Sequence, residues 1–153
     1  MFHFKRTNSE NIHFKKLVKD LDGYLKITDG DEHDFYNQFN GIAGLDYVLV
    51  IYDDEKPIGC GAIKPFNSST LEIKRMYVST EYRGKGIGSK ILNELENWGK
   101  ELKYSTCVLE TGKRQVEAIA LYKKNEYQII PNYGQYIGVE NSVCFKKIIA
   151  KYD

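Results

Sequence analysis

Long apolar runs are missing from this chain, and that absence is the first constraint. The wholly apolar segments are only a few residues long, as in Val48-Leu49-Val50-Ile51, so none can cross a bilayer as a helix. Charge of one sign is missing too: 22 Lys and Arg face 21 Asp and Glu, a net charge of +1. No general attraction to nucleic acid or to a membrane surface follows, and any positive site must be local. Cysteine is scarce, and Cys60, Cys107 and Cys144 are far apart with no Cys-x-x-Cys pair. That pattern suits reduced, buried thiols and excludes a disulfide framework or a zinc site. His3, His13 and His33 have no metal-ligand spacing, so no metal is expected. The acidic stretch Thr28 to Asp34 fails as a calcium loop: counting from Asp29, Asp34 and Asn40 stand where Gly and Glu are needed. The opening Met1-Phe-His-Phe-Lys-Arg-Thr lacks the apolar core of a secretory signal, which makes the cytoplasm the expected location.

What is present reads as one globular domain over residues 1–153, with 42% hydrophobic and 28% charged residues. Phe2 to Thr7 suits a short strand, and Asn8-Ser9 a cap for a helix from Ile12 to about Leu25, on which Phe14, Leu17, Val18, Leu21 and Leu25 share a stripe. A polar loop and a shorter helix over Phe35 to Ile42 follow. Tyr47 to Tyr52 and Ile58 to Lys64 are β-type runs joined by the polar turn Asp53 to Pro57, hence an antiparallel hairpin. Ser105 to Thr111 reads as a strand, Gln115 to Asn125 as the last helix, and Tyr127 to Ile130 and Ser142 to Ile149 as closing strands.

The chain is organised around Leu71 to Leu102. Leu71 to Val78 alternates apolar and charged residues as a two-faced strand does. Ile87, Ile91, Leu95, Trp98 and Leu102 lie on one helical stripe. Between them stands Arg83-Gly84-Lys85-Gly86-Ile87-Gly88-Ser89. Glycine costs about 1 kcal/mol relative to alanine in a helix, so several at a helix start imply something that must approach the backbone. The first-turn N–H groups and the helix dipole make an anion the natural occupant, with Arg83 and Lys85 adding charge. A Walker-type loop does not fit this spacing, and neither does a Gly-x-Gly-x-x-Gly fingerprint placed directly after a strand.

The segment does fit Arg/Gln-x-x-Gly-x-Gly/Ala, and with the preceding Glu72-Ile73-Lys74-Arg75-Met76-Tyr77-Val78 and the following helix it resembles the GNAT superfamily of acetyl-CoA-dependent N-acetyltransferases. The resemblance implies an α/β (α+β) fold. Its mixed central sheet would have about seven strands, with an antiparallel N-terminal meander, a parallel pair at the cofactor cleft and about four helices. It implies acetyl-CoA as acyl donor, with the coenzyme A pyrophosphate held by backbone amides of Arg83, Gly84, Lys85, Gly86, Ile87, Gly88 and Ser89. In such proteins a β-bulge opens the cleft, so main-chain groups along Met76, Tyr77 and Val78 are expected to take the pantetheine amides and the thioester carbonyl.

The resemblance also nominates catalytic groups. Glu72 stands where several members place a general base, with Glu110 in Leu109-Glu110-Thr111-Gly112 as its competitor or as a site for the acceptor's ammonium; an ion pair of Glu72 with Lys74 is the structural alternative. Tyr122 matches the Ala-x-x-Leu-Tyr pattern of the last family helix, beginning at Ala118, where a tyrosine commonly serves as acid toward the coenzyme A sulfur. Two departures stand out: Gln115 replaces the usual asparagine, and Glu126-Tyr127 replaces a closing Gly-Phe.

The acidic loop Asp29 to Asp34 and the tyrosines Tyr133 and Tyr136 are candidates to line the acceptor pocket, which would suit a small-molecule primary amine or an amino-acid-like compound. A non-catalytic acyl-CoA sensor and a peptide or protein N-acetyltransferase remain open as alternatives. Ser142 to Ile149 is apolar enough for a homodimer through the last strands, or for an edge covered within the monomer.

Overall fold

Residues 1–29 and 44–151 are described by the computed structural model. Helix α1 (Ile12–Asp29) follows strand β1 (Phe2–Thr7), and its cap is Asn11 rather than Asn8-Ser9. The Asn11 Oδ1 accepts from the N–H groups of both His13 and Phe14 at 3.0 Å. The helix continues past Leu25 to Asp29; Gly23 sits on its exposed side and does not stop it. Residues 30–43, which include most of the acidic loop and the expected helix Phe35 to Ile42, lie outside the described residues.

Strands β2 (Tyr47–Asp53), β3 (Lys56–Pro65) and β4 (Thr70–Val78) form the expected antiparallel meander, with β1 added alongside β2. The β3–β4 turn is set by Asn67, whose side-chain oxygen accepts from the N–H groups of Ser69 and Thr70 at 2.9 Å. Helix α2 (Ile87–Glu101) then carries the chain to β5 (Thr106–Gly112), which pairs in parallel with β4. Helix α3 (Val116–Lys124), β6 (Gln128–Ile130) and β7 (Ser142–Ile148) complete a seven-stranded sheet ordered β1-β2-β3-β4-β5-β7-β6.

The continuous apolar run of β2 has a simple cause: both faces of the sheet are covered. Val48 and Val50 pack with Phe14, Leu17 and Val18 of α1. Leu49 and Ile51 join Ile87, Ile91, Leu92 and Leu95 of α2 in the larger core cluster. Glycines in β3 let α2 come close. A Cβ at Gly61 would lie 2.8 Å from the Met76 sulfur and 2.9 Å from Leu95 Cδ1. Cys60, Cys107 and Cys144 are buried free thiols on β3, β5 and β7. Burial raises all three, Cys60 and Cys107 to about 12 and Cys144 to about 11.

Two irregularities in β4 shape the site. Its pairing with β3 slips: Cys60 stands opposite Tyr77 and Ala62 opposite Lys74, so Arg75 and Met76 together face Gly61. Its parallel ladder with β5 has three residue pairs and ends at Glu72–Val108, whereas β5 stays paired with β7 as far as Gly112. Beyond Glu72 the two strands diverge.

Candidate active site

The glycine loop is built for two separate reasons. Gly84 at φ 77° and Gly86 at φ 79° take left-handed conformations that side chains disfavour, and nothing lies within 4 Å of a Cβ built on either. Gly86 is the N-cap of α2, leaving the first-turn amides directed out of the helix. Gly88 differs: a Cβ there would sit 3.0 Å from Leu121 Cδ2, so this glycine serves the contact between α2 and α3. Arg83 is already engaged, its Nε donating to the Val78 carbonyl at 2.9 Å and its guanidinium lying over Tyr24 and Tyr77 at 5.0 and 5.6 Å. Its charge is thereby fixed at the end of β4. The Lys85 ammonium lies 5.2 Å over the Tyr82 ring, and Ser89 Oγ accepts from Asn125 Nδ2 at 3.0 Å.

Beside the end of β4, a cleft of about 340 Å³ runs from the glycine loop along Met76, Tyr77 and Val78 to Ala118 and Tyr122 of α3. A smaller cavity of about 80 Å³ lies beyond it, lined by Glu72, Lys74, Arg75, Glu110 and Tyr136 among others. Leu21, Met76, Gln115 and Tyr122 line both. The predicted donor residues other than Lys85 therefore line the larger space and both predicted carboxylates the smaller, with Tyr122 at the junction.

The electrostatics of the smaller cavity come from buried groups in contact. The Tyr133 hydroxyl donates to Glu72 Oε2 at 2.6 Å, and Lys74 Nζ lies 3.6 Å from the same carboxylate's other oxygen. The ion pair with Lys74, the structural alternative to a catalytic role for Glu72, is therefore present. Ser142 donates its hydroxyl to Glu110 Oε2 at 2.6 Å. Tyr122, 6% exposed, packs edgewise on Tyr127 and tilted on Phe145. Burial, and next the charge of Glu110, push its hydroxyl well above the ordinary tyrosine value, so it stays protonated. Tyr133 and Tyr136 are raised likewise, first by burial; the Glu72 charge comes next for Tyr133, and those of Glu110 and then Glu72 for Tyr136.

Three of these contacts have no local signal in the sequence: Tyr133 to Glu72, Ser142 to Glu110, and the Arg75 guanidinium to Asp22 Oδ1 at 2.6 Å. Gly59 and Gly61, two glycines inside a strand, were the available sign that β3 is closely approached. Among the described residues no group of three or more His, Cys, Asp or Glu is placed to hold a metal ion, and no helix is long and apolar enough to cross a membrane.

The profile of the acetyltransferase (GNAT) family matches residues 14–127, which span the meander, the glycine loop, β5 and α3. The chain belongs to the GNAT acetyltransferase family. This GNAT chain is 32% identical over 123 residues to an IAA acetyltransferase of Azospirillum brasilense, covering 79% of the chain and 80% of that relative. It is also 35% identical over 83 residues to an uncharacterized N-acetyltransferase of Escherichia coli, covering 52% and 49% of the two chains. A solved structure from Klebsiella pneumoniae assigned as an acyl-CoA N-acyltransferase is 27% identical, with a TM-score of 0.82 and coverage of 98% and 99%. The PaiA N-acetyltransferase of Thermoplasma acidophilum, solved with coenzyme A, shares the fold at a TM-score of 0.72 and 19% identity, over 97% and 99% of the two chains. GNAT proteins are acyltransferases that use acetyl-CoA.

Proposed function

We propose that the protein moves an acetyl group from acetyl-CoA to a primary amine of a small molecule or amino-acid-like acceptor. The observation that carries this reading is the position of Tyr122, which lines both the space walled by the glycine loop and the space that holds two carboxylates. In the reaction, amides of the loop Arg83 to Ser89 hold the pyrophosphate, and main-chain groups along Met76 to Val78 receive the pantetheine and polarise the thioester carbonyl. Gln115 and Ala118 flank the donor near the thioester. The acceptor enters beside Glu110, whose carboxylate takes its ammonium. Glu72, oriented by the short bond from Tyr133, takes one proton from that ammonium so that the free amine can attack the thioester carbonyl, and the second proton leaves the nitrogen to solvent as the C–N bond forms. The C–S bond then breaks, and Tyr122 gives the departing thiolate a proton. A hydroxyl kept protonated by burial suits that role.

The reading is tested by two measurements on the same preparation. Titration calorimetry with acetyl-CoA is expected to give saturable binding, and release of free coenzyme A across a panel of primary amines is expected to depend on the amine. No binding at high micromolar acetyl-CoA would end the proposal. Binding without amine-dependent release would favour an acyl-CoA sensor.

A further inference from the structure

The bulge on β4 is made by a residue poorly suited to it. Arg75 has φ +57°, a left-handed conformation that is disfavoured for any residue with a Cβ and that glycine adopts freely. Asp54, Lys103 and Glu126, the other non-glycine residues with positive φ among those described, lie in connections between elements; Arg75 lies inside a strand. Its side chain is only 3% exposed, and Nη2 is bonded to Asp22 Oδ1 at 2.6 Å, on the face of α1 next to Leu21. The Arg75 carbonyl accepts the Cys60 thiol at 3.4 Å. Its Nε is the one buried side-chain nitrogen or oxygen among the described residues without a hydrogen-bond partner. A guanidinium has thus been taken out of water with one donor unsatisfied, at a position where glycine would remove the backbone strain. Packing alone does not require that. The bond to α1 does, because it is the tie that holds the chain in the left-handed turn immediately before Met76.

We propose that Arg75 is a positioning residue: its part-buried bond to Asp22 clamps the β4 bulge to helix α1 and so fixes the main chain of Met76 to Val78 where the thioester is received. The inference rests on the acetyl-transfer reading of the cleft. It separates two parts of the donor site, since the pyrophosphate loop begins at Arg83, beyond the bulge, and does not depend on the clamp.

The test compares calorimetric affinities for acetyl-CoA and for coenzyme A in the wild type, Arg75→Ala, Arg75→Gly and Asp22→Asn. Arg75→Ala retains the strain and loses the clamp. It should lose about fivefold more affinity for acetyl-CoA than for coenzyme A, the worth of one hydrogen bond to the thioester carbonyl, since the pantetheine contacts along Met76 to Val78 are common to both ligands. Arg75→Gly loses the clamp and the strain together and should recover part of the loss. Asp22→Asn keeps Arg75 in place beside a neutral partner, and should show the same selective loss if Arg75→Ala does not fold. Equal losses for both ligands, or identical behaviour of the alanine and glycine variants, would overturn the clamp and leave the acetyl-transfer reading standing. A wild type that binds neither ligand would remove both.

Discussion

At the scale of single residues, three side chains around one junction have different proposed work, and kinetics can separate them. Tyr122→Phe removes the proposed acid without changing the packing on Tyr127 and Phe145, so kcat should fall about a hundredfold, the low end for a lost proton donor, with little change in melting temperature. Glu72→Gln should lower kcat by a similar factor of about a hundred at unchanged KM for the amine. Glu110→Gln should instead raise KM for the amine about tenfold, as loss of one charge-assisted hydrogen bond would, and affect kcat less. Steady-state kinetics on the best amine of the panel reads all three, and a reversed pattern for the two glutamates would exchange their roles. Glu72 was legible as a candidate because it lies on a strand with a recognisable neighbourhood. Its partner was not, because Tyr133 is 61 positions away and reaches it only once β6 and β7 have folded back. The burial of Arg75 has no local signal either: it follows Lys74 in a strand of apolar and charged residues, yet its side chain is almost wholly buried.

At the scale of elements, the glycine loop and α2 were the most legible part, since a helical stripe of Ile87, Ile91 and Leu95 against a two-faced strand has a single packing solution, and those residues are fully buried. The reasons for the individual glycines were not legible. Spacing groups Gly84, Gly86 and Gly88 together as room for a ligand, whereas only the first two have the left-handed backbone and Gly88 faces Leu121. Two variants should therefore differ in kind. Gly86→Ala strains the N-cap of α2 in otherwise open space and should cost about 1–2 kcal/mol together with a weaker affinity for coenzyme A. Gly61→Ala drives a Cβ toward the Met76 sulfur and Leu95 and should cost about 1–3 kcal/mol by overpacking, with no direct contact to the glycine loop. Chemical denaturation beside calorimetry distinguishes them: comparable loss of coenzyme A affinity in both would mean that the loop has no special role. The limits of α1 and its cap were read less well. Its cap at Asn11 depends on side chain to backbone bonds that a periodic pattern does not encode.

At the scale of the whole molecule, connection length does not give the placement of β1 beside β2 or of β7 between β5 and β6, but the β2–β3–β4 meander and the parallel β4–β5 pair were legible from it: a short turn makes an antiparallel neighbour, and a crossover helix makes a parallel one. The number of acidic protons buried with the fold was not. Three thiols and the tyrosines Tyr122, Tyr127, Tyr133 and Tyr136 are all pushed upward by burial. For each such group the folded state holds its proton to higher pH than the unfolded chain does. The stability this represents is complete below the unfolded values, 9.0 for thiols and 10.0 for tyrosines, and is lost as pH rises beyond them. The melting temperature should accordingly be flat with respect to these groups from pH 7 to pH 8.5 and fall from about pH 9 upward. A melting temperature unchanged to about pH 11 would mean that these groups are more exposed than the structure has them.

The central claim is that donor and acceptor sites meet at Tyr122 where β4 and β5 part. A crystal structure of the protein with acetyl-CoA tests it most directly. The account predicts pyrophosphate density against the amides of Gly84 to Gly88, the thioester beside Met76 to Val78, and the sulfur within hydrogen-bond reach of the Tyr122 hydroxyl, with its acetyl group directed toward Glu72 and Glu110. Acetyl-CoA bound with its thioester outside the β4–β5 opening, or with Tyr122 turned away from the sulfur, would contradict it.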